Sequence, residues 1–201
     1  MHRRKLLLAT HNKGKAQELV ELLREAPFEL TTLTEAGITQ QVEEVGSTLQ
    51  ENAILKARAY AQLSHLLTLA DDSGLEVDAL GGEPGPQSAR YAGEGATDKE
   101  RLDYLLKKVE NIADDHLQAR FRCVIALAWP SGETQIHEGL CYGRIVRDPR
   151  GRSGFGYDPI FYLPELGKTM AELSVEEKNR ISHRGRATRK VLEALKQLSR
   201  K

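Results

Sequence analysis

The chain has 201 residues, 40% hydrophobic and 29% charged, with 17 glycines and 7 prolines. These are the values of one ordinary globular core and exclude a disordered, collagenous or rod-like chain. Aromatic residues are only 5%, and 29 Lys/Arg balance 29 Asp/Glu, which argues against a generic nucleic-acid binder.

Lys5–Ala9 reads as a short buried strand, and Lys15–Leu23 as a helix with Ala16, Leu19, Val20 and Leu23 on one face. A second strand is expected near Phe28–Leu33. Thr48 and Glu51 have the spacing of a capping box, which predicts a helix through about Ser64. Leu66–Ala70 is a strand candidate that runs into Asp71-Asp72-Ser73-Gly74, read as a strand end. Gly81–Gly95 is an ordered Gly/Pro-rich loop. Thr97 and Glu100 repeat the capping pattern, followed by the stripe Leu102, Leu105, Leu106 and Val109. Arg120–Trp129 is a strong strand. The turn Pro130-Ser131-Gly132-Glu133 returns it as a hairpin through Thr134–Val146. Asp148–Asp158 is another loop, Ser174 and Glu177 cap a short helix, and Ala187, Val191, Ala194, Leu195 and Leu198 mark an amphipathic C-terminal helix. Alternating strands and helices with one hairpin predict an α/β fold with a mixed, twisted sheet and flanking helices. No linker or repeat breaks it, so residues 1–201 read as a single domain. The apolar run Cys123–Trp129 is too short to cross a bilayer, and Leu6–Ala9 too short for a secretory core. Two cysteines without metal-type spacing fit a reduced, cytoplasmic setting.

Charge is unevenly placed. Ala26–Leu55 carries five acids and no Lys or Arg, whereas Lys178–Lys201 carries nine Lys/Arg and one acid. Solvated faces explain such runs in most proteins; a cation-binding wall beside a phosphate-binding wall is the sharper reading. Four segments could carry that chemistry. Thr10-His11-Asn12-Lys13-Gly14-Lys15 is a strand-to-helix turn, where unpaired backbone donors and two lysines suit a phosphate. Taken by itself it is better explained as a polar turn. Asp71-Asp72 at a strand end could hold Mg²⁺ with Glu43 or Glu44 and substrate phosphates, or could simply be an N-cap turn. In Ser153-Gly154-Phe155-Gly156-Tyr157-Asp158-Pro159, the glycines permit close backbone approach and the aromatics offer a stacking face; core anchoring explains them equally well. Lys178 and Ser182-His183-Arg184-Gly185 could meet phosphate or a base carbonyl.

In order along the chain stand Thr10–Lys15, Glu51-Asn52-Ala53-Ile54-Leu55-Lys56-Ala57, Ala70–Leu75, Ser88-Ala89-Arg90-Tyr91, Gly154–Pro159 and Ser182–Gly185. Together they resemble the inosine triphosphate pyrophosphatase (Ham1-like) family, from about Leu6 to the C-terminal helix. The resemblance implies two lobes around a central cleft, a homodimer, and Mg²⁺-dependent hydrolysis of ITP, dITP and XTP to the monophosphate and pyrophosphate. No nucleic-acid or membrane partner is expected. Carried over by position, Thr10, His11, Asn12, Lys13, Gly14 and Lys15 are the triphosphate turn, and Lys56 is a further phosphate contact. Asp72 is the proton acceptor and a metal ligand, Glu43 the other metal ligand, with Glu44 the alternative. Ser73 is a substrate contact. Phe155, Gly156, Tyr157, Asp158, Lys178, His183 and Arg184 are the base-recognition set. Leu49 and Pro86-Gln87 depart from the family pattern, which bears on packing and loop shape. Competing readings are a pool-cleaning pyrophosphatase of the same fold for modified pyrimidines or methylated bases, a nucleotide-binding regulator without turnover, and a nucleic-acid binder using the basic C-terminal segment.

Overall fold

Lys5–Leu8 forms the first strand, β1, of the computed structural model, which describes residues 4–199. Its side chains alternate between two buried clusters: Leu6 and Leu8 join one, Leu7 and the following Ala9 the other. A strand sends successive side chains to opposite faces, so an unbroken apolar run is what two-sided burial requires. After β1 come α1 (Lys13–Leu22), β2 (Glu29–Thr32), α2 (Leu49–Ser64), β3 (Leu67–Val77) and α3 (Asp98–Lys108). β4 (Gln118–Ala128), β5 (Thr134–Ile145), β6 (Phe161–Leu163), β7 (Lys168–Thr169), α4 (Val175–Ile181) and α5 (His183–Leu198) complete the chain. The strands form a mixed sheet in the order β2-β1-β3-β4-β5-β6-β7. β1 runs parallel to β2 and β3, whereas β6 is antiparallel to β5 and β7.

The chain divides into two compact units. The first holds the described chain up to Asp72, Cys123–Gly139, and the chain from Arg184; the second holds Ser73–Arg122 and Leu140–His183. In the first unit, Leu19 of α1 and Ala187, Val191 and Leu195 of α5 cover the face carrying Leu6, Leu8, Leu69, Cys123 and Ile125. Ala53, Ala57, Tyr60 and Ala61 of α2 cover the opposite face, against Leu7, Ala70, Val124 and Ala126. In the second unit, one face of β3–β6 is apolar, with Leu75, Phe121, Cys141 and Phe161 packed among Leu102 and Leu105 of α3 and Val109, which follows it. The alternate positions are polar and paired: Arg120 Nε donates to Glu76 at 2.5 Å. Neither cysteine is in a disulfide, and each is buried in the core of its own unit. Among the described residues, no helix is long and apolar enough to cross a membrane.

One local expectation is overturned. Asp71-Asp72-Ser73-Gly74 does not end a strand; β3 runs straight through it to Val77. Acids are poor strand formers, but both carboxylates here are met by cations, as described below. Gly74 has its own reason: a Cβ there would meet the Gly85 carbonyl oxygen at 2.1 Å, so the 3₁₀ segment Gly85–Arg90 packs directly on the strand. The strand's far end also differs, because the Gly81–Gly95 loop contains that 3₁₀ segment.

Candidate active site

The first unit gathers lysines and acids where β1 ends. The parallel register Leu8↔Leu69 places Asp71 and Asp72 just beyond the last residue of β1, beside the turn that starts at Thr10. Asn12 is the N-cap of α1: its side-chain oxygen accepts the Lys15 N–H at 3.0 Å, which starts the helix two residues earlier than its apolar stripe suggests. Thr10 Oγ1 accepts from Asn12 N at 3.2 Å, and His11 Nε2 lies 3.1 Å from the Tyr60 hydroxyl and 3.0 Å from the Gln40 carbonyl oxygen. Lys13 is exposed, and Gly14 and Lys15 are half-buried.

Strand alternation separates the two aspartates. Asp72 faces α2 and is 4% exposed. Its Oδ2 accepts from Asn52 Nδ2 at 3.2 Å, and its Oδ1 is 3.7 Å from Lys56 Nζ. Asn52 and Lys56 lie four residues apart on α2, hence on one face. The same Asn52 side chain accepts the Gly46 N–H at 2.8 Å, tying the acidic loop to the catalytic candidate. That loop presents Glu44, not Glu43, to the site: Glu44 is paired with Lys56, while Glu43 is exposed. Burial pushes the Asp72 carboxyl above its ordinary pKa; Lys56 and Lys15 oppose this, and Glu44 and Asp71 reinforce it. Burial also works against the Lys56 ammonium, yet Asp72, Asp71 and Glu44 outweigh it and its pKa is raised.

Asp71 faces α1 and α5. Its carboxylate lies 3.2 Å from Lys15 Nζ and 3.3 Å from two guanidinium nitrogens of Arg184. Although burial favours the neutral acid, Lys15, Arg184 and Lys56 hold it well below the usual carboxylate range. Arg184, the second residue of α5, is 1% exposed and also donates to Glu18 at 2.5 Å, so its guanidinium is engaged inside the first unit.

The second unit holds the aromatic loop. Phe155 is half-buried, with Lys178 Nζ 4.9 Å from its ring centroid. Asp158 Oδ2 accepts both Lys178 Nζ at 2.7 Å and the Phe155 N–H at 3.0 Å, so one buried carboxylate fixes the lysine and the loop together. Gly154 sits at φ +78°, and a Cβ there would meet that carboxylate oxygen at 2.0 Å. Gly156 N donates to Asp98 at 2.8 Å. Tyr157 is buried, its hydroxyl donating to the Ser88 carbonyl at 3.0 Å, so it braces the loop against Ser88-Ala89-Arg90-Tyr91. His183 is buried and stacks on Phe121, centroids 4.7 Å apart. Ser73 is half-buried within β3.

Several residues of these networks have no role in the sequence reading, Asn52, Glu18, Asp98 and Tyr60 among them, and Asp71 reads there only as a possible Mg²⁺ ligand beside Asp72. The i, i+4 spacing of Asn52 and Lys56 was the available signal for the first. Among the described residues, no group of three or more His, Cys, Asp or Glu side chains could hold a metal.

A family model described as the Ham1 family matches residues 6–194. The chain is 52% identical over 194 residues to a dITP/XTP pyrophosphatase of Desulforamulus reducens, covering 96% of both chains. It is 46% identical over 189 residues to a protein of that name from Bacillus subtilis, covering 94% of this chain and 96% of that one. Among solved structures, a HAM1 protein from Coxiella burnetii superposes with a TM-score of 0.88 at 45% identity, covering 96% of this chain and 99% of the other. The Ham1 protein of Staphylococcus aureus gives 0.86 at 42% identity over the same shares.

Proposed function

The chain belongs to the Ham1 family, and on that premise we propose that it is a nucleoside triphosphate pyrophosphatase acting on deaminated purine nucleotides, dITP, ITP and XTP. The observation that carries the reading to named atoms is Asp72, a buried carboxylate held by Asn52 and facing Lys56. The reaction joins water to the α-phosphorus and releases monophosphate and pyrophosphate. Asp72 takes the proton from the attacking water. Asn52 fixes the carboxylate's direction. Lys13, Lys15 and Lys56, with the N–H groups that open α1, bind the β and γ phosphates.

Magnesium fits this donor set in one way. A hard cation of this size takes one or two carboxylates and completes its shell with substrate phosphates and water. Glu44 and Asp72, both against Lys56, are the pair we assign to it, in place of exposed Glu43. Bound there, it would neutralise charge on the phosphate chain and make pyrophosphate a better leaving group.

Phe155 stacks on the purine, and Lys178, His183 and the loop's N–H groups address its 6-oxo oxygen. ATP would bring an amino donor to donors, leaving them unpaired. Arg184, engaged by Asp71 and Glu18, serves the phosphate side in this assignment. We take the protein to act as a homodimer in the cytoplasm.

The test is turnover of dITP, ITP and XTP with Mg²⁺, read separately for pyrophosphate and orthophosphate, with ATP as comparator. Pyrophosphate from the deaminated purines and little from ATP is expected. Orthophosphate as the product, or equal turnover of ATP, overturns the reading.

A further inference from the structure

Asp71 is the residue on which the phosphate-binding cations converge. Its side chain is fully shielded from solvent, so it touches neither nucleotide nor metal. Its carboxylate holds Lys15 at 3.2 Å and Arg184 at 3.3 Å, and its backbone carbonyl accepts Lys56 Nζ at 2.8 Å. Lys15 comes from α1, Lys56 from α2 and Arg184 from α5, so one strand residue ties together three helices' cations. A flexible ammonium loses rotamer freedom when it grips a phosphate. A lysine already held by a buried anion has lost that freedom in the free enzyme.

We propose that Asp71 is a positioning residue of the phosphate grip, acting chiefly through Lys15, while its neighbour Asp72 does the proton transfer. This rests on the pyrophosphatase reading above. Strand alternation gives the two adjacent carboxylates separate tasks. Asp72 faces α2 and the reacting water; Asp71 faces α1 and α5 and holds the lysine that meets the leaving group. Loss of the anchor charge weakens binding of the phosphate chain and leaves the proton transfer in place.

The experiment compares Asp71→Asn with the wild type in steady-state hydrolysis of dITP and in calorimetric binding of inorganic pyrophosphate. The expected result is a KM raised about tenfold or more with kcat changed less than about threefold. Pyrophosphate affinity falls by a similar factor. In a Lys15→Met background, Asp71→Asn adds less than about a twofold further loss, because the two act as one unit. A fall in kcat at unchanged KM overturns the proposal, as does unchanged pyrophosphate affinity. Independent, multiplicative effects of the two substitutions remove Lys15 as the route. If Asp71→Asn does not fold, Asp71→Glu, which keeps the charge but displaces it from Lys15 by one methylene, tests the positioning: a raised KM and weaker pyrophosphate binding at near wild-type kcat support the proposal, and unchanged values of both overturn it. Should wild-type enzyme release no pyrophosphate from dITP, the functional reading fails. The pyrophosphate-binding comparison still decides whether Asp71 anchors the lysine.

Discussion

Asp72 is a charged group in a place that resists charge. Burial and the neighbouring Glu44 and Asp71 raise its pKa, so at neutral pH its ionised form lowers the stability of the folded chain. Asp72→Asn keeps the shape and removes that charge. Turnover is expected to fall at least about a hundredfold, the scale of a lost general base. The metal-free protein is expected to melt about 2–4 °C higher for each kcal/mol relieved. Near wild-type kcat would take Asp72 out of the base role, and a lower melting temperature would mean that its bonds to Asn52 and Lys56 outweigh its burial. Lys15, Lys56 and Asp72 stand out in the sequence because each sits in a short local motif. The pairing of Glu44 with Lys56, and the engagement of Arg184 with Asp71, do not. They depend on how a loop folds onto a helix and which face a strand residue takes, and neither is written in spacing.

At the scale of elements, the capping boxes were the most reliable sequence signal. Thr48 with Glu51, Thr97 with Glu100 and Ser174 with Glu177 each form the reciprocal pair at the start of their helices. A cap is local physics, needing only two side chains and the first turn. The box at Thr169 and Glu172 escaped notice because it heads a single 3₁₀ turn with no apolar stripe behind it. β6 and β7 escaped because three and two residues show no period. The extension of β3 through two aspartates escaped because propensity argued for a turn, and the cations that overrule it come from α1, α2 and α5. Thr48→Ala is expected to lower stability by about 1 kcal/mol, the usual worth of such a cap. A thermal melt should then shift down by about 2–4 °C. No shift would show that packing of Ala53, Ala57 and Tyr60 fixes the start of α2 without its cap.

For the whole molecule, the α/β class and mixed sheet were legible in the pattern of elements, while two lobes were expected only from the family resemblance, and no residue pattern marked where the division falls. No linker marks it, because the chain changes unit inside β3, β4, β5 and the first turn of α5. A boundary inside continuous elements leaves no trace in composition. The buried ion pairs of the first unit give the molecule a pH signature. Asp71 is held far below its unfolded pKa of about 3.9, so its contribution is complete above that value and is lost as pH falls through the folded one. The melting temperature should fall steeply below about pH 4, and Asp71→Asn should make that fall shallower. An equally steep fall in the variant would assign acid unfolding to other carboxylates.

The two cysteines have a consequence of a different kind. Cys123 is buried in the first unit's core and Cys141 in the second's. Burial, with Asp71 nearby, pushes the Cys123 thiol up to about 12, so it is inert to alkylating reagents while its surroundings stay closed. Each unit therefore carries its own clock. The rate at which a thiol reagent labels each cysteine in native buffer reports how often that unit opens. Equal rates at the two positions would mean that the units open as one; unequal rates would show which opens first.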